Sequence, residues 1–199
     1  LVGLVAMKDA SIEQPTPEDV HSTGTIALIS KVIHLPDGTL QVMVRGLERM
    51  KIQQWVATEP YLKAQIEVSP DQVVESVESE ALRRSLLDLS AQVVQYMPQV
   101  PAEAMELMRR VTDARLLVYL IASNLKLEVP DAQELLALDS VDDKMRKLIS
   151  LLGRELELLE LGKKIQSEAQ SEMEKAQREY FLREQMKAIQ KELGDDEGQ

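Results

Sequence analysis

The sequence predicts an α+β protein: a small β-sheet or pseudo-barrel lobe, followed by an α-helical bundle and a long C-terminal helix with coiled-coil character. Three observations carry that reading. Up to about residue 69 the apolar residues fall in short runs, largely of period two, which is the spacing of half-buried strands. From there to about residue 138 they recur at intervals of three and four, the spacing of helices. After Ser140 no proline occurs before Gly194, so one uninterrupted helix is permitted.

The strand region reads as five strands: LVGLVAM, TIALISKVIHL, LQVMVRG, RMKIQQWVAT and YLKAQIEVS. Leu35-Pro36-Asp37-Gly38-Thr39 is the sharpest local signal in it. Asp-Gly tolerates the positive φ of a tight turn, and its flanks are apolar and β-prone, so a hairpin is expected there. Residues 8–24 carry Pro15 and Pro17 with little apolar periodicity and are expected to form a loop or flap. At Ser69-Pro70-Asp71-Gln72 a serine that can cap, a proline at the first helical position and a glutamine three residues on make a capping box, so a helix is expected to start there and stop near Met97-Pro98. Short helices are expected at residues 102–110, 114–124 and 132–138. The chain therefore divides into a β-rich lobe (1–69), a helical subdomain (70–138), a long helix (139–194) and a linker (195–199).

The last helix, about 50 residues at 1.5 Å each, would be roughly 75 Å long, too long for a domain of this size to absorb. Asp142 and Asp143 stand where acids favour a helix amino terminus. Leu148, Leu151, Leu152, Leu156 and Leu159 fit packing on the helical subdomain. Farther along, the apolar residues thin to Ile165, Ala169, Met173 and Ala176. Glu160/Lys164, Glu174/Arg178 and Glu179/Arg183 there have the acid-first spacing of a solvated helix. Leu182, Met186, Ile189 and Leu193 then resume a short coiled-coil-like seam.

Composition bounds the function. A formal net charge of −11 gives a surface that repels polyanions, and no basic patch offsets it, which argues against nucleic acid as a partner. Cysteine is absent, so there is no disulfide framework, thiol nucleophile or thiolate metal site, which fits a reducing cytoplasm. No apolar run approaches the roughly 20 residues of a membrane helix. The chain opens without methionine inside an apolar run and closes on GDDEGQ, so both ends read as boundaries cut from a longer polypeptide.

No catalytic constellation assembles. Gly162-Lys163 is followed by Lys164 and has no glycine five residues before it, so it is not a phosphate loop. His21 and His34 have no metal-ligand spacing and are expected to be structural or exposed. Asp142-Asp143 is better explained by its helix start than by acid/base work, and Asp195-Asp196-Glu197 by a solvated tail than by a cation cage. The expected catalytic, cofactor and metal residues are therefore none.

Residues 177–193, QREYFLREQMKAIQKEL, are similar to the hallmark segment that precedes the ATPase module of bacterial Lon-type ATP-dependent proteases. A second stretch, LPDGTLQVMVRGLERMKI (residues 35–52), resembles the substrate-binding-domain hairpin of that family, with Gly46 and Arg49 where it has a glycine and a basic residue. Asp113-Ala114-Arg115-Leu116 and the terminal helix follow in the family's order. The departure is at the start, where the family carries earlier strands with a proline-rich segment, so the β-lobe is expected to be truncated there. The resemblance implies a non-catalytic amino-terminal region that binds unfolded, damaged or degron-bearing proteins and supports hexamer assembly and substrate delivery. ATP, Mg and the Ser-Lys peptidase would belong to modules beyond Gln199.

For substrate binding, adaptable apolar side chains are needed, and methionine repacks easily. Met43, Met50 and Trp55 are the candidates, although ordinary core is the commoner role for such residues. For assembly, with the fragment a dimer or larger, Tyr180, Phe181, Leu182, Met186 and Ile189 are the candidates, since apolar residues on a helix without its own core need a partner surface. The alternatives are a stand-alone adaptor built on the same domain and a structural coiled-coil protein. The β pattern argues against the second.

Overall fold

The computed structural model describes residues 1–97 and 102–195; the side chains of 102–104 and 193–195 are outside that description. Four strands, β1 (Val2–Met7), β2 (Val20–His34), β3 (Leu40–Ala57) and β4 (Lys63–Val68), form an antiparallel sheet in the order β1-β2-β3-β4. Among the described residues five helices follow: α1 (Val77–Val94), α2 (Ala102–Arg110), α3 (Ala114–Asn124), α4 (Val129–Ala137) and α5 (Val141–Asp195). The chain forms two compact units, Leu1–Leu152 and Gly153–Gln199.

The expected hairpin forms. Leu35 N–H donates to Thr39 O (2.9 Å) and Gly38 N–H to Leu35 O (3.0 Å), and Gly38 takes φ +85°, which a side chain would resist. Two strands expected to be separate, LQVMVRG and RMKIQQWVAT, are one 18-residue strand. Gly46 does not break it. Instead the chain absorbs irregularity in bulges: Ile26 faces Glu48 while Ala27 faces Gly46, leaving Leu47 as the extra residue, and Ser30 is the extra residue on β2. The loop expected over 8–24 is shorter, because β2 already begins at Val20, paired with Met7 of β1. A single 3₁₀ turn at Pro17–Asp19, capped by Thr16, closes the loop.

The helix expected from Ser69 does not start there; α1 begins eight residues later, with Ser76 as its cap accepting from Ser79 N–H. Tertiary partners outcompete the local capping box. Gln72 N–H donates to Asp139 O (2.8 Å) and Gln72 O accepts from Val141 N–H (3.0 Å), so this backbone is committed to an extended bridge with the start of α5. Asp71 is drawn into a buried ion cluster. Replacing Ser76 with alanine removes the working cap and is expected to cost about 1 kcal/mol in chemical denaturation, whereas Ser69→Ala should cost much less, since Ser69 caps nothing.

Helix α4 starts three residues before the expected 132, with Pro130 in its first turn, where a missing N–H is harmless. Within Leu1–Leu152 the core is formed by Leu86, Leu87 and Val93 of α1, Leu117, Val118 and Ile121 of α3, and Val141, Met145, Leu148 and Leu152 of α5, all buried. Helix α5 runs through Gly194, where a stop was expected; one glycine in a long helix costs only about 1 kcal/mol. The linker expected at 195–199 lies outside the described residues from residue 196 on.

Candidate substrate-engaging surface and the ion cluster behind it

Helix α4 ends with carbonyls that have no intrahelical partner and carry the negative end of the helix dipole. Two buried cations meet them. Arg49 Nη1 on β3 donates to Leu136 O, Ala137 O and Leu138 O at 3.3, 3.1 and 2.9 Å, and Lys144 Nζ on α5 donates to Leu135 O and Leu136 O at 2.8 and 3.1 Å. Arg49 Nε also reaches Ser69 O at 2.9 Å.

Asp71 balances both cations. Its Oδ1 lies 3.3 Å from Arg49 Nε and 3.4 Å from Lys144 Nζ, charge contacts without an aligned hydrogen bond, and its Oδ2 accepts from Tyr119 Oη at 2.7 Å. The side chains of Arg49 and Asp71 are each only 2 % exposed and that of Lys144 is fully buried, so none of the three could stand uncompensated. At the edge, Asp139 takes Arg49 Nη2 (2.7 Å) and Lys51 Nζ (2.9 Å). One cluster thus joins β3, the chain before α1, α3, the end of α4 and the start of α5.

The cluster shifts its members' titration. Hydrogen bonds from Lys51 and then Arg49 hold the Asp139 carboxyl below the usual range. Burial pulls the Lys144 ammonium down, against the pull of Asp71. Burial first, then the bond to Asp71, pushes the Tyr119 hydroxyl well above its ordinary value. A group whose folded pKa is raised supports the fold fully below its unfolded pKa and loses that support as pH rises. Stability should therefore fall above about pH 10 as the unfolded chain's tyrosine ionises and the folded one cannot. Tyr119→Phe should flatten that decline when unfolding is followed from pH 9 to 11.

On β3, Arg49 and Lys51 face the helices, and the residues between and beside them turn to the other side of the sheet. Met50 and Ile52 there line a hollow of about 330 Å³, with Trp55, Ile26, Ile66 and Val2 among its walls. Met50 is buried and Trp55 half-buried, so two of the candidate substrate residues share one apolar hollow.

Met43 lies elsewhere, on the long ribbon of β2 and β3. Strand β1 pairs with β2 only up to Ala27, and β4 with β3 only from Met50, so between these limits the ribbon is two-stranded. Directly opposed residues share a face. Ile29 opposes Val44, Val32 opposes Val42 and His34 opposes Leu40, which makes one face an apolar ladder. Its members Ile29, Val32, Leu40, Val42 and Val44 are 41–58 % exposed. Met43, opposite Lys31, is on the other, mixed face.

The assembly candidates Tyr180, Phe181, Leu182, Met186 and Ile189 are all exposed on α5. Of the histidines, His21 is half-buried and His34 exposed. Asp142 and Asp143 occupy the first turn of α5, as expected; Asp142 accepts from Ser79 Oγ (2.8 Å) and Asp143 pairs with Arg146 (2.7 Å). Among the described residues no group of three or more His, Cys, Asp or Glu side chains is placed to hold a metal, and no helix is long and apolar enough to cross a membrane.

Residues 1–154 match the family model described as the ATP-dependent protease La (LON) substrate-binding domain. The Lon protease of Dictyoglomus thermophilum is 40 % identical over 195 residues, covering 98 % of this chain and 24 % of the relative. Lon protease 1 of Herpetosiphon aurantiacus is 44 % identical over 204 residues, covering all of this chain and 25 % of the relative. The chain therefore spans about a quarter of the length of these relatives. In fold it is similar to the N-terminal domain of Mycobacterium avium complex Lon protease, with a TM-score of 0.59 at 20 % identity over 76 % of this chain and 90 % of that one. With the sheet, the helices and the ribbon so arranged, and most of the sequence matched, the chain belongs to the Lon protease family, as its substrate-binding domain and the helix that follows.

Proposed function

We propose that this chain is the non-catalytic, amino-terminal part of a cytoplasmic ATP-dependent serine protease, where it takes hold of unfolded, damaged or degron-bearing proteins and helps assemble the hexamer that consumes them. The observation that carries the reading is the apolar ladder on the β2–β3 ribbon. Five exposed aliphatic side chains in register offer a surface that an unfolded polypeptide can cover with its own apolar residues and a folded one cannot. Met43 on the ribbon's other face, and Met50 and Trp55 in the hollow, add side chains that adapt to many sequences. Tyr180, Phe181, Leu182, Met186 and Ile189 supply apolar surface for assembly and delivery. ATP and Mg chemistry and peptide cleavage are assigned to other modules of the parent polypeptide. The absence of cysteine supports the cytoplasmic setting.

The test is selectivity for the unfolded state. Fluorescence anisotropy of a labelled, permanently unfolded protein should rise with added chain, and the same protein in its folded form should give no change. Equal binding of both forms, or of neither, rejects the reading.

A further inference from the structure

The β2–β3 ribbon has two open edges as well as an apolar face. Strand β1 leaves β2 after Ala27 and β4 joins β3 only at Met50, so among the described residues the backbone of 28–34 on one side and of 40–46 on the other meets no further strand. The two edges are not equivalent. On β2 the bulge at Ser30 splits the edge into 28–29 and 31–34, which blunts it against further pairing. On β3 no extra residue falls between Leu40 and Gly46. Thr39 O accepts from Leu35 N–H (2.9 Å) and Met43 O from Ser30 Oγ (3.0 Å), so alternate residues from Thr39 onward turn their backbone groups to β2. The N–H and C=O groups of Leu40, Val42, Val44 and Gly46 therefore point the other way, into the open edge. Leu40, Val42 and Val44 also belong to the apolar ladder, so free backbone and apolar side chains are offered together.

The other face of the ribbon supplies a charge. Gln41, Met43 and Arg45 alternate along β3 there, with Lys31 across from Met43. Between residues 20 and 47 the only carboxylate is Asp37, in the turn, so the ribbon is a cationic island in a chain of net charge −11. We infer that an extended segment of an unfolded protein adds to β3 along residues 40–46 as a third strand, with apolar side chains at alternate positions on the ladder face and an acidic side chain between them facing Arg45. Main-chain hydrogen bonds along such an edge give affinity, and the alternate side chains give choice. A folded protein has already paired the backbone groups this requires. A second copy of the same edge would bring no carboxylate to Arg45, since residues 40–46 contain none. The inference rests on the substrate reading of the proposed function and specifies how the substrate is held and which sequences are preferred.

The probe is a labelled peptide, Val-Glu-Val-Thr-Val-Glu-Val with blocked ends, followed by fluorescence anisotropy on the whole chain. With its valines over the ladder, the valine N–H groups face β3 and the others face water. Methylating the valine amides should weaken binding at least about tenfold, and methylating the glutamate and threonine amides should change it by less than about twofold, although the side chains are the same in both. Equal effects of the two sets, or the reverse order, overturn the inference. Exchanging both glutamates for lysine should weaken binding at least about threefold, against the pull of the chain's net negative charge, and Arg45→Glu should reverse the order of the two peptides. The same order with and without Arg45→Glu overturns the acidic preference. If the unmodified peptide does not bind while a permanently unfolded protein does, the inference falls and the substrate reading stands; if neither binds, the substrate reading itself is rejected. A dimer in sedimentation equilibrium that the peptide dissociates would assign the edge to a second copy and overturn the inference.

Discussion

Arg49→Ala is expected to be the most damaging single substitution in the Leu1–Leu152 unit, lowering its stability by about 3–5 kcal/mol in urea denaturation followed by circular dichroism. The guanidinium is 2 % exposed and spreads its five donors over the carbonyls ending α4, Ser69 O and two carboxylates. Its removal leaves Asp71 buried against Lys144 and Tyr119 alone and leaves the end of α4 without its main cap. Arg49→Lys should recover little, because an ammonium cannot reproduce the planar fork that meets a helix end and a carboxylate together. Lys51→Ala supplies the contrast. It removes an ion pair to the same Asp139, but Lys51 is 37 % exposed and Asp139 46 %, so the loss should stay below about 1 kcal/mol. Comparable losses for Arg49→Ala and Lys51→Ala would mean that the buried cluster does not hold the sheet to the helices.

Val42→Asp combined with Val44→Asp is expected to reduce affinity for an unfolded protein at least about tenfold, equivalent to roughly 1.4 kcal/mol, without unfolding the chain. Both valines are 44 % exposed in the two-stranded part of the ribbon, where a carboxylate keeps its water. The melting temperature should therefore move by only a few degrees. Gln41→Asp, on the opposite face of the ribbon, puts a charge into the same hairpin and should leave affinity nearly unchanged. A tenfold loss from Gln41→Asp as well would indicate a general charge effect and not an apolar surface.

Much of this architecture was legible in the sequence because local chemistry and tertiary structure agree. Asp37-Gly38 made a tight turn, and Asp142 and Asp143 began α5. The errors arose where long-range partners prevailed over local preference. Ser69-Pro70-Asp71-Gln72 has the pattern of a helix start, but Asp71 is worth more to Arg49 and Lys144 than to its own backbone, and Gln72 pairs with α5. Gly46 looked like the end of a strand and proved to sit beside the Leu47 bulge within one continuous strand.

The ion cluster was half visible. Arg49 stood out only through a family pattern, and Asp71, Tyr119 and Lys144 did not stand out at all. A signal for Lys144 did exist, since it interrupts the apolar stripe of Val141, Met145, Leu148 and Leu152, and a charge in such a stripe must find a buried partner. The apolar ladder needed the register of β2 on β3. The bulge at Ser30 shifts Ile29 onto the face of Val32, which no strict alternation of the sequence conveys.

Amide hydrogen exchange of the whole chain, with and without a saturating unfolded protein, addresses the ribbon's role most directly. Binding should slow exchange in residues 28–47, with the largest change on both strands flanking Val42. Unchanged exchange in that stretch, with protection confined to α1–α4, would place the grip elsewhere and contradict the account.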